Sequence, residues 1–176
     1  YKFPGSRFIN SLLKGGLFIN VNYIVVPIFL MLLDWDKGLK GFGINGFFLN
    51  NIFVLAVVYA ATSLPFTIYL LSNFFKTLPT TFEEAASIDG AGYFTTMVRV
   101  MTPMARPSII TVILFNFLSF WNEYIIALTL MPGKNQTLPV GLKNLIQAQR
   151  GAAEYGQLYA GMVLVMLPTL ILYILV

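Results

Sequence analysis

The sequence predicts an all-α protein that crosses a membrane several times, and two observations lead to this fold class. Hydrophobic residues make up 57% of the 176 residues, charged residues make up only 10%, and the mean hydropathy is +0.77. Soluble domains carry about 25% charged residues, so this chain has too few to cover a soluble core of its size. Four long apolar runs also match the roughly 20 helical residues that a bilayer core about 30 Å thick requires.

The four apolar runs occupy positions 16–33, 52–71, 109–131 and 158–176. Glu123 is the one charged residue within them. Strands of a closed barrel would be about half as long and would alternate strictly, so each run is predicted to be a transmembrane helix. Prolines lie inside three runs, at Pro27, Pro65 and Pro168, where we expect either tolerated kinks or functional bends.

The connection 72–107 between the second and third runs is predicted to begin with a short helix. Thr80 and Glu83 have the spacing of a capping box, in which each side chain bonds the other residue's backbone N–H. Gly90 is typical of the position just after a helix C-terminus. The acidic side chains Glu83 and Glu84 would lie in the first turn, where the helix dipole favours negative charge.

A second short helix is predicted directly after the first. Its apolar residues follow at i, i+3, i+4 and i+7, which gives one apolar face: Phe94, Met97, Val98 and Met101. Pro103 is expected to end this helix. Helices of this length are marginal alone in water, so the pair must dock. It packs either on its own spans or on a soluble partner that grips it.

The segment 84–103 resembles the EAA motif of ABC importer permeases. That motif reads Glu-Ala-Ala, three residues, Gly, nine residues, Ile, one residue, Leu-Pro. The chain has the residues of the motif at Glu84-Ala85-Ala86, Gly90 and Pro103, and it carries Val100 and Thr102 at the Ile and Leu positions. Further segments, in the same order along the chain, are similar to the sugar-importing members: Asp89-Gly90-Ala91, Trp121-Asn122-Glu123, 137–142, Ala160-Gly161 and Leu167-Pro168.

The resemblance is to the maltose-type carbohydrate-uptake family, and within it to the second permease subunit of the heterodimer. It implies the type I importer permease fold and a multi-pass location in the cytoplasmic membrane. Such subunits have six spans, so this chain would be a fragment with the last four, without the first two and the cytoplasmic tail. The resemblance also places 72–107 in the cytoplasm, inserted into a cleft of an ATP-binding cassette subunit.

The resemblance further implies which residues meet that subunit. The expected docking residues are Phe82, Glu84, Ala85, Ala86, Ile88, Asp89, Gly90 and Ala91. The other implied partners are a second permease subunit, an extracytoplasmic sugar-binding protein, the sugar and the lipid membrane. The chain has no Gly-x4-Gly-Lys-[Ser/Thr] loop, so no cofactor is expected on it and ATP would be bound by the partner.

Polar residues share one side of the third span and form a candidate pathway. Their positions are i, i+3, i+6 and i+7, with an aromatic residue beside them: Asn116, Ser119, Asn122, Glu123 and Trp121. A charge near the bilayer centre costs roughly 2.5–3.5 kcal/mol even on the lenient scale, so Glu123 should face protein or water. Two interpretations stay open. The side chains line a sugar path, or they join helices at about 0.6 kcal/mol per contact.

The predicted function is that of a permease subunit in a binding-protein-dependent importer. It would move a sugar by alternating access, driven by ATP hydrolysis in the partner. The alternative is a permease for another solute, such as an amino acid, phosphate or a polyamine. The chain has no His, no Cys and one acid in its spans, so we expect no catalytic residues, no metal site and no enzyme activity. A pure scaffold would leave the patterned connection unexplained, and the absence of a dense basic run argues against nucleic acid.

Overall fold

The computed structural model describes residues 5–41, 43, 46–133, 136–148 and 155–175, and the regular structure in these ranges is entirely helical. The all-α prediction is therefore confirmed. The helices are α1 (Ser6–Gly15), α2 (Val21–Lys40), α3 (Ile52–Thr77), α4 (Thr81–Ile88), α5 (Tyr93–Thr96), α6 (Thr102–Met104), α7 (Arg106–Asn122), α8 (Ile125–Leu130), α9 (Leu138–Ala148) and α10 (Tyr155–Leu175). A 3-10 turn covers Gly16–Phe18, and a π-helical segment covers Met97–Met101.

Two helices are long and apolar enough to cross a bilayer, namely α3 and residues 155–174 of α10. Two pairs of consecutive helices pass the same criterion when each pair is taken as one broken span, which gives up to four crossings among the described residues. The pairs are 6–18 with 21–40, and 93–104 with 106–122. Prolines inside α2, α3 and α10 leave these helices continuous.

Two of the apolar runs are interrupted rather than continuous. In the run 16–33, regular α-helix starts only at Val21, because the side chain of Asn20 accepts the Asn22 N–H and caps the helix there. In the run 109–131, the helix stops after Asn122 and resumes at Ile125. Both runs therefore contain a helix end next to a polar residue, although their hydropathy predicts one continuous helix in each.

The described residues fall into two compact units, and α3 and α7 contribute residues to both. The first unit comprises 1–19 and 61–117, and the second comprises 20–60 and 118–176. In the first unit, Asn116 on α7 donates to the Thr67 hydroxyl on α3 over 3.0 Å. At the neighbouring positions, the rings of Phe66 and Phe115 meet edge to face with their centroids 6.1 Å apart.

The second unit has an apolar core with one buried acid at its margin. The core residues are Val25, Leu32, Leu55, Val58, Ile126, Ala127, Leu130, Met131 and Val140. Asp36 on α2 is 5% exposed, and its two carboxylate oxygens accept the backbone N–H groups of Phe48 and Leu49 at 2.8 and 3.0 Å. This acid therefore anchors the connection between α2 and α3. The helix α2 ends at Lys40, beyond the apolar run that ends at position 33.

A glycine permits a close approach of two segments in the first unit. A Cβ atom added at Gly16 would lie 2.7 Å from Cγ of the Pro65 ring, whereas one added at Gly15 would meet nothing within 4 Å. Both glycines have right-handed helical backbone angles, so alanine is conformationally acceptable at either position.

We expect Gly16→Ala to lower the free energy of unfolding by about 1–3 kcal/mol, because the added methyl group overpacks against a proline ring. The matched control, Gly15→Ala, should leave stability unchanged or raise it slightly, because alanine restricts the unfolded chain more than glycine does. Denaturant unfolding in detergent micelles measures both variants. Equal stability of the two would contradict the packing argument.

Candidate functional site

The predicted docking helix α4 exists, but the capping box predicted at its start is wrong. Thr80 precedes the helix with φ −67° and ψ −18°, and its side chain makes no capping hydrogen bond. A capping side chain reaches the N–H groups of the first turn when its backbone is extended, whereas Thr80 is already helical. The Phe82 N–H, which such a cap could have bonded, donates instead to the Pro79 carbonyl over 3.5 Å.

The end of α4 agrees with the prediction for Gly90. This residue has φ +76°, a left-handed conformation that a side chain disfavours. The Ala91 N–H donates to the Ala86 carbonyl over 2.9 Å, and the Gly90 N–H donates to the Ser87 carbonyl over 3.1 Å. The 2.9 Å bond, from five residues later, is typical of the Schellman motif, which satisfies carbonyls that a helix end otherwise leaves unpaired. Gly90 therefore fixes where α4 stops and how the chain turns back.

The predicted docking residues do not all face outward. Glu84, Ala85, Asp89 and Gly90 are exposed, Phe82 and Ile88 are 39% and 86% exposed, and Ala91 is half-buried. Ala86 is only 7% exposed and packs within the first unit. The two alanines of the motif therefore differ, because Ala85 is exposed whereas Ala86 is turned inward. The docking role of these residues stays a prediction.

The second helix of the connection departs from the predicted single apolar face. Phe94 is 77% exposed and Val98 is 48% exposed, whereas Met101 is 5% exposed. A π turn adds one residue to the helix, so positions that share one face of an α-helix separate across it. Pro103 lies within α6 instead of ending the helix, which stops at Met104.

A groove lies between α4 and the helical segment that follows it. It encloses about 250 Å³, and both carboxylates and apolar side chains line it. Its lining residues are Glu83, Glu84, Ser87, Ala91, Tyr93, Thr96, Met97 and Met101. Past the groove, the completely buried Ala105 marks a 71° bend into α7. The exposed helix α4 is therefore connected to α7 through a short, closely packed elbow.

Glu123 lies at the break in the third apolar run, where its carboxylate replaces the interrupted backbone bonding. One oxygen accepts the Ile126 N–H over 2.8 Å, and the other accepts the Ala127 N–H over 3.2 Å. The second oxygen also accepts the Tyr59 hydroxyl from α3 over 2.7 Å. The ring of Tyr59 in turn stacks on Phe120 with a centroid distance of 5.0 Å. Glu123 faces protein, which is one of the two environments expected for a charge in a span.

The other candidate pathway residues also bond within the chain. Trp121 donates from Nε1 to the Val165 carbonyl on α10 over 2.9 Å, and Asn122 donates to the Leu118 carbonyl of its own helix over 2.8 Å. Asn116 bonds Thr67 in the first unit. Ser119 and Asn122 are exposed. The geometry supports the helix-contact interpretation for Asn116, Trp121 and Glu123, and it leaves Ser119 and Asn122 accessible.

Two segments that resemble sugar-importing permeases meet in the second unit. In the segment 137–142, α9 starts at Leu138 and Val140 is 1% exposed. Gly161 on α10 approaches this helix so closely that an added Cβ would lie 3.0 Å from a methyl group of Leu142. The small residue at 161 therefore permits α9 to pack on α10.

Three residues that make structural hydrogen bonds could not be predicted from the sequence: Tyr59, Thr67 and Asp36. Tyr59 and Thr67 are the partners of Glu123 and Asn116, and both lie in an apolar run without any local signal. The sequence places Asp36 in a polar connection, and nothing in the pattern distinguishes it from the exposed Asp34 two residues earlier. Only the isolated charge of Glu123 within a span indicates that a polar partner exists.

Nearly the whole chain matches one protein family. Residues 10–176 match the family of the "Binding-protein-dependent transport system inner membrane component". The chain is 36% identical over 174 residues to a diacetylchitobiose uptake system permease protein of Streptomyces coelicolor, covering 98% of this chain and 54% of that protein. It is 32% identical over 118 residues to a trehalose transport system permease protein of Mycobacterium tuberculosis, covering 66% and 43%.

A third relative differs in its named cargo. It is an osmoprotective compounds uptake permease protein of Synechocystis, 31% identical over 155 residues, with 87% of this chain and 48% of that protein covered. The chain spans about half the length of the relatives it matches.

We expect Tyr59→Phe to lower the free energy of unfolding by about 1.5–3 kcal/mol, because its hydroxyl donates to a charged group. Tyr124→Phe is the matched control, since Tyr124 is exposed, and it should leave stability unchanged. In a Glu123→Gln background, Tyr59→Phe should cost less than in the wild type, because the charged acceptor is gone. Strictly additive effects in this double-mutant cycle would show that the two side chains act independently.

Proposed function

The chain belongs to the inner-membrane components of binding-protein-dependent transport systems, and on this premise we propose that it serves as a permease subunit that carries a sugar across the cytoplasmic membrane. The observation that carries the proposal is the match over residues 10–176, together with an exposed acidic helix, α4, held by the Gly90 turn. The relatives named for diacetylchitobiose and trehalose uptake support a sugar as cargo.

An ATP-binding cassette subunit is the proposed partner of α4. The helix and its C-terminal turn present Glu83, Glu84 and Asp89 on the exposed surface, with Phe82 and Ile88 beside them. A cleft with basic side chains around an apolar floor would complement this surface. ATP binding and hydrolysis in that subunit would move α4, and the 71° elbow at Ala105 would pass the motion into α7.

Alternating access is the proposed transport mechanism. The spans would rock between outward-open and inward-open states, together with a second permease subunit, and an extracytoplasmic sugar-binding protein would deliver the cargo. Ser119, Asn122 and the half-exposed Tyr124 are accessible polar and aromatic groups for sugar contact near the break at Glu123. The competing cargo is a non-sugar solute, an alternative kept open because one relative is named only for osmoprotective compounds.

A reconstituted transporter tests the proposal. The full-length subunit is combined in liposomes with the ATP-binding, second permease and receptor proteins of the same genome. We expect ATP-dependent uptake of radiolabelled diacetylchitobiose or trehalose and none of glutamine, phosphate or putrescine. Uptake of only the latter group would favour the alternative, and no ATP-dependent uptake of any of these solutes would contradict the proposed function.

Cysteine crosslinking tests the docking of α4 directly. The 176 residues contain no cysteine, so Ser87→Cys introduces the first thiol among them, on the exposed surface of α4. We expect this thiol to crosslink to the ATP-binding subunit, whereas the thiol of Thr111→Cys on α7 should not. Labelling of the Ser87→Cys variant from the extracytoplasmic side only would overturn the proposed orientation.

We expect Gly90→Val to uncouple ATP hydrolysis from uptake while membrane insertion stays normal. A β-branched residue at φ +76° costs about 1–2 kcal/mol or more, so the turn after α4 should open. Gly92→Val is the matched control, because Gly92 has φ −69° and ψ 163° and an added Cβ meets nothing within 4 Å. The ratio of ATP hydrolysed to solute imported measures coupling, and equal ratios in both variants would contradict the role of Gly90.

A further inference from the structure

Thr102 makes a hydrogen bond that differs from those of five other threonines. These five hydroxyls, in the described part of the chain, donate to a carbonyl three or four residues earlier, as helical threonines usually do: Thr77, Thr96, Thr111, Thr129 and Thr169. The Thr102 hydroxyl instead reaches the Met97 carbonyl, five residues earlier, over 2.7 Å. The Thr102 backbone N–H donates to the same carbonyl.

This pair of bonds holds the chain in a π turn. In an α-helix the Thr102 N–H would reach the carbonyl of Val98, so its bond to Met97 shifts the hydrogen-bond register by one residue. Pro103 follows directly and has no N–H with which to continue either register. The hydroxyl of Thr102 therefore gives the Met97 carbonyl a second donor, directly before Pro103, which has no backbone N–H.

The register of the π turn decides which side chains face α4. A helix turns about 100° for each residue. If the π turn changed to the α register, the residues 93–96 would therefore rotate by about that angle relative to α7. Tyr93, Thr96 and Met97 line the groove beside Glu83 and Glu84, and they would turn away from it. The groove and the orientation of α4 depend on this one register.

We propose that Thr102 is a positioning residue, whose hydroxyl holds α4 and its groove in a fixed orientation relative to α7. Loss of the hydroxyl removes one of the two donors that the Met97 carbonyl has in the π turn, and so weakens this register. That a changed orientation of α4 would weaken its contact with an ATP-binding subunit rests on the proposed function. The role of Thr102 in the geometry does not. Thr102 is also where the chain departs from the Leu of the EAA motif.

The test compares Thr102→Val, Thr102→Ser and Thr111→Val in the complete transporter. Valine keeps the shape of threonine without the hydroxyl, serine keeps the hydroxyl, and Thr111 bonds the Pro107 carbonyl within regular helix. Spin labels on cysteines introduced at the exposed positions 87 and 113 report the distance between α4 and α7. We expect a second distance population in Thr102→Val alone. An unchanged distribution in that variant, or the same change in Thr111→Val, overturns the proposal.

A second measurement separates this proposal from the proposed function. The crosslink between the thiol of Ser87→Cys and the ATP-binding subunit should weaken when Thr102→Val is added, because the π register is then less populated, and should recover with Thr102→Ser. A shifted distance without any crosslink in the presence of Thr102 would support the role of Thr102 and contradict docking. A normal crosslink that Thr102→Val leaves unchanged would support docking and contradict the role of Thr102.

Discussion

The fold depends on one constraint, which is that backbone polar groups removed from water must find a partner within the protein. Regular helices meet this constraint by themselves, and the chain uses side chains where they stop. Glu123 accepts two backbone N–H groups at the break before α8, and Asp36 accepts two from the connection after α2. Thr102 adds a hydroxyl donor to the carbonyl at the π turn. At each of these three points, where the chain departs from regular α-helix, a polar side chain makes a hydrogen bond to the backbone.

This constraint changes how polar residues in an apolar run are interpreted. An isolated carboxylate such as Glu123 suggests a functional path, because intramembrane charges are costly and usually functional. Its oxygens, however, bond Ile126, Ala127 and Tyr59 within 3.2 Å. A cargo molecule that bonded these oxygens would have to displace bonds that hold α8 in place. Under the proposed function, Ser119 and Asn122, which are exposed, are therefore the better candidates for contact with the solute.

The connection between α3 and α7 combines an exposed surface with a rigid attachment. The turn at Gly90 and the buried side chains of Ala86 and Met101 hold α4 against the following helix. Ala105, with no exposed surface, then joins this pair to α7. A force applied to α4 would thus reach α7 through closely packed atoms and not through a flexible linker. Under the proposed function, this arrangement would pass the motion of an ATP-hydrolysing partner into α7.

Composition, hydrophobic run length and the glycine requirement of a left-handed turn are local properties, so the sequence alone was enough to predict the helical fold class, α4 and its end at Gly90. The family resemblance also followed from ordered motifs, and the match over residues 10–176 agrees with it. The break at Glu123 and the inward turn of Ala86 became visible only in the folded chain. The partner of Glu123 is 64 residues away, and the π turn moves side chains off the face that an α-helical period predicts. Contacts between distant segments leave no periodic trace in a single sequence.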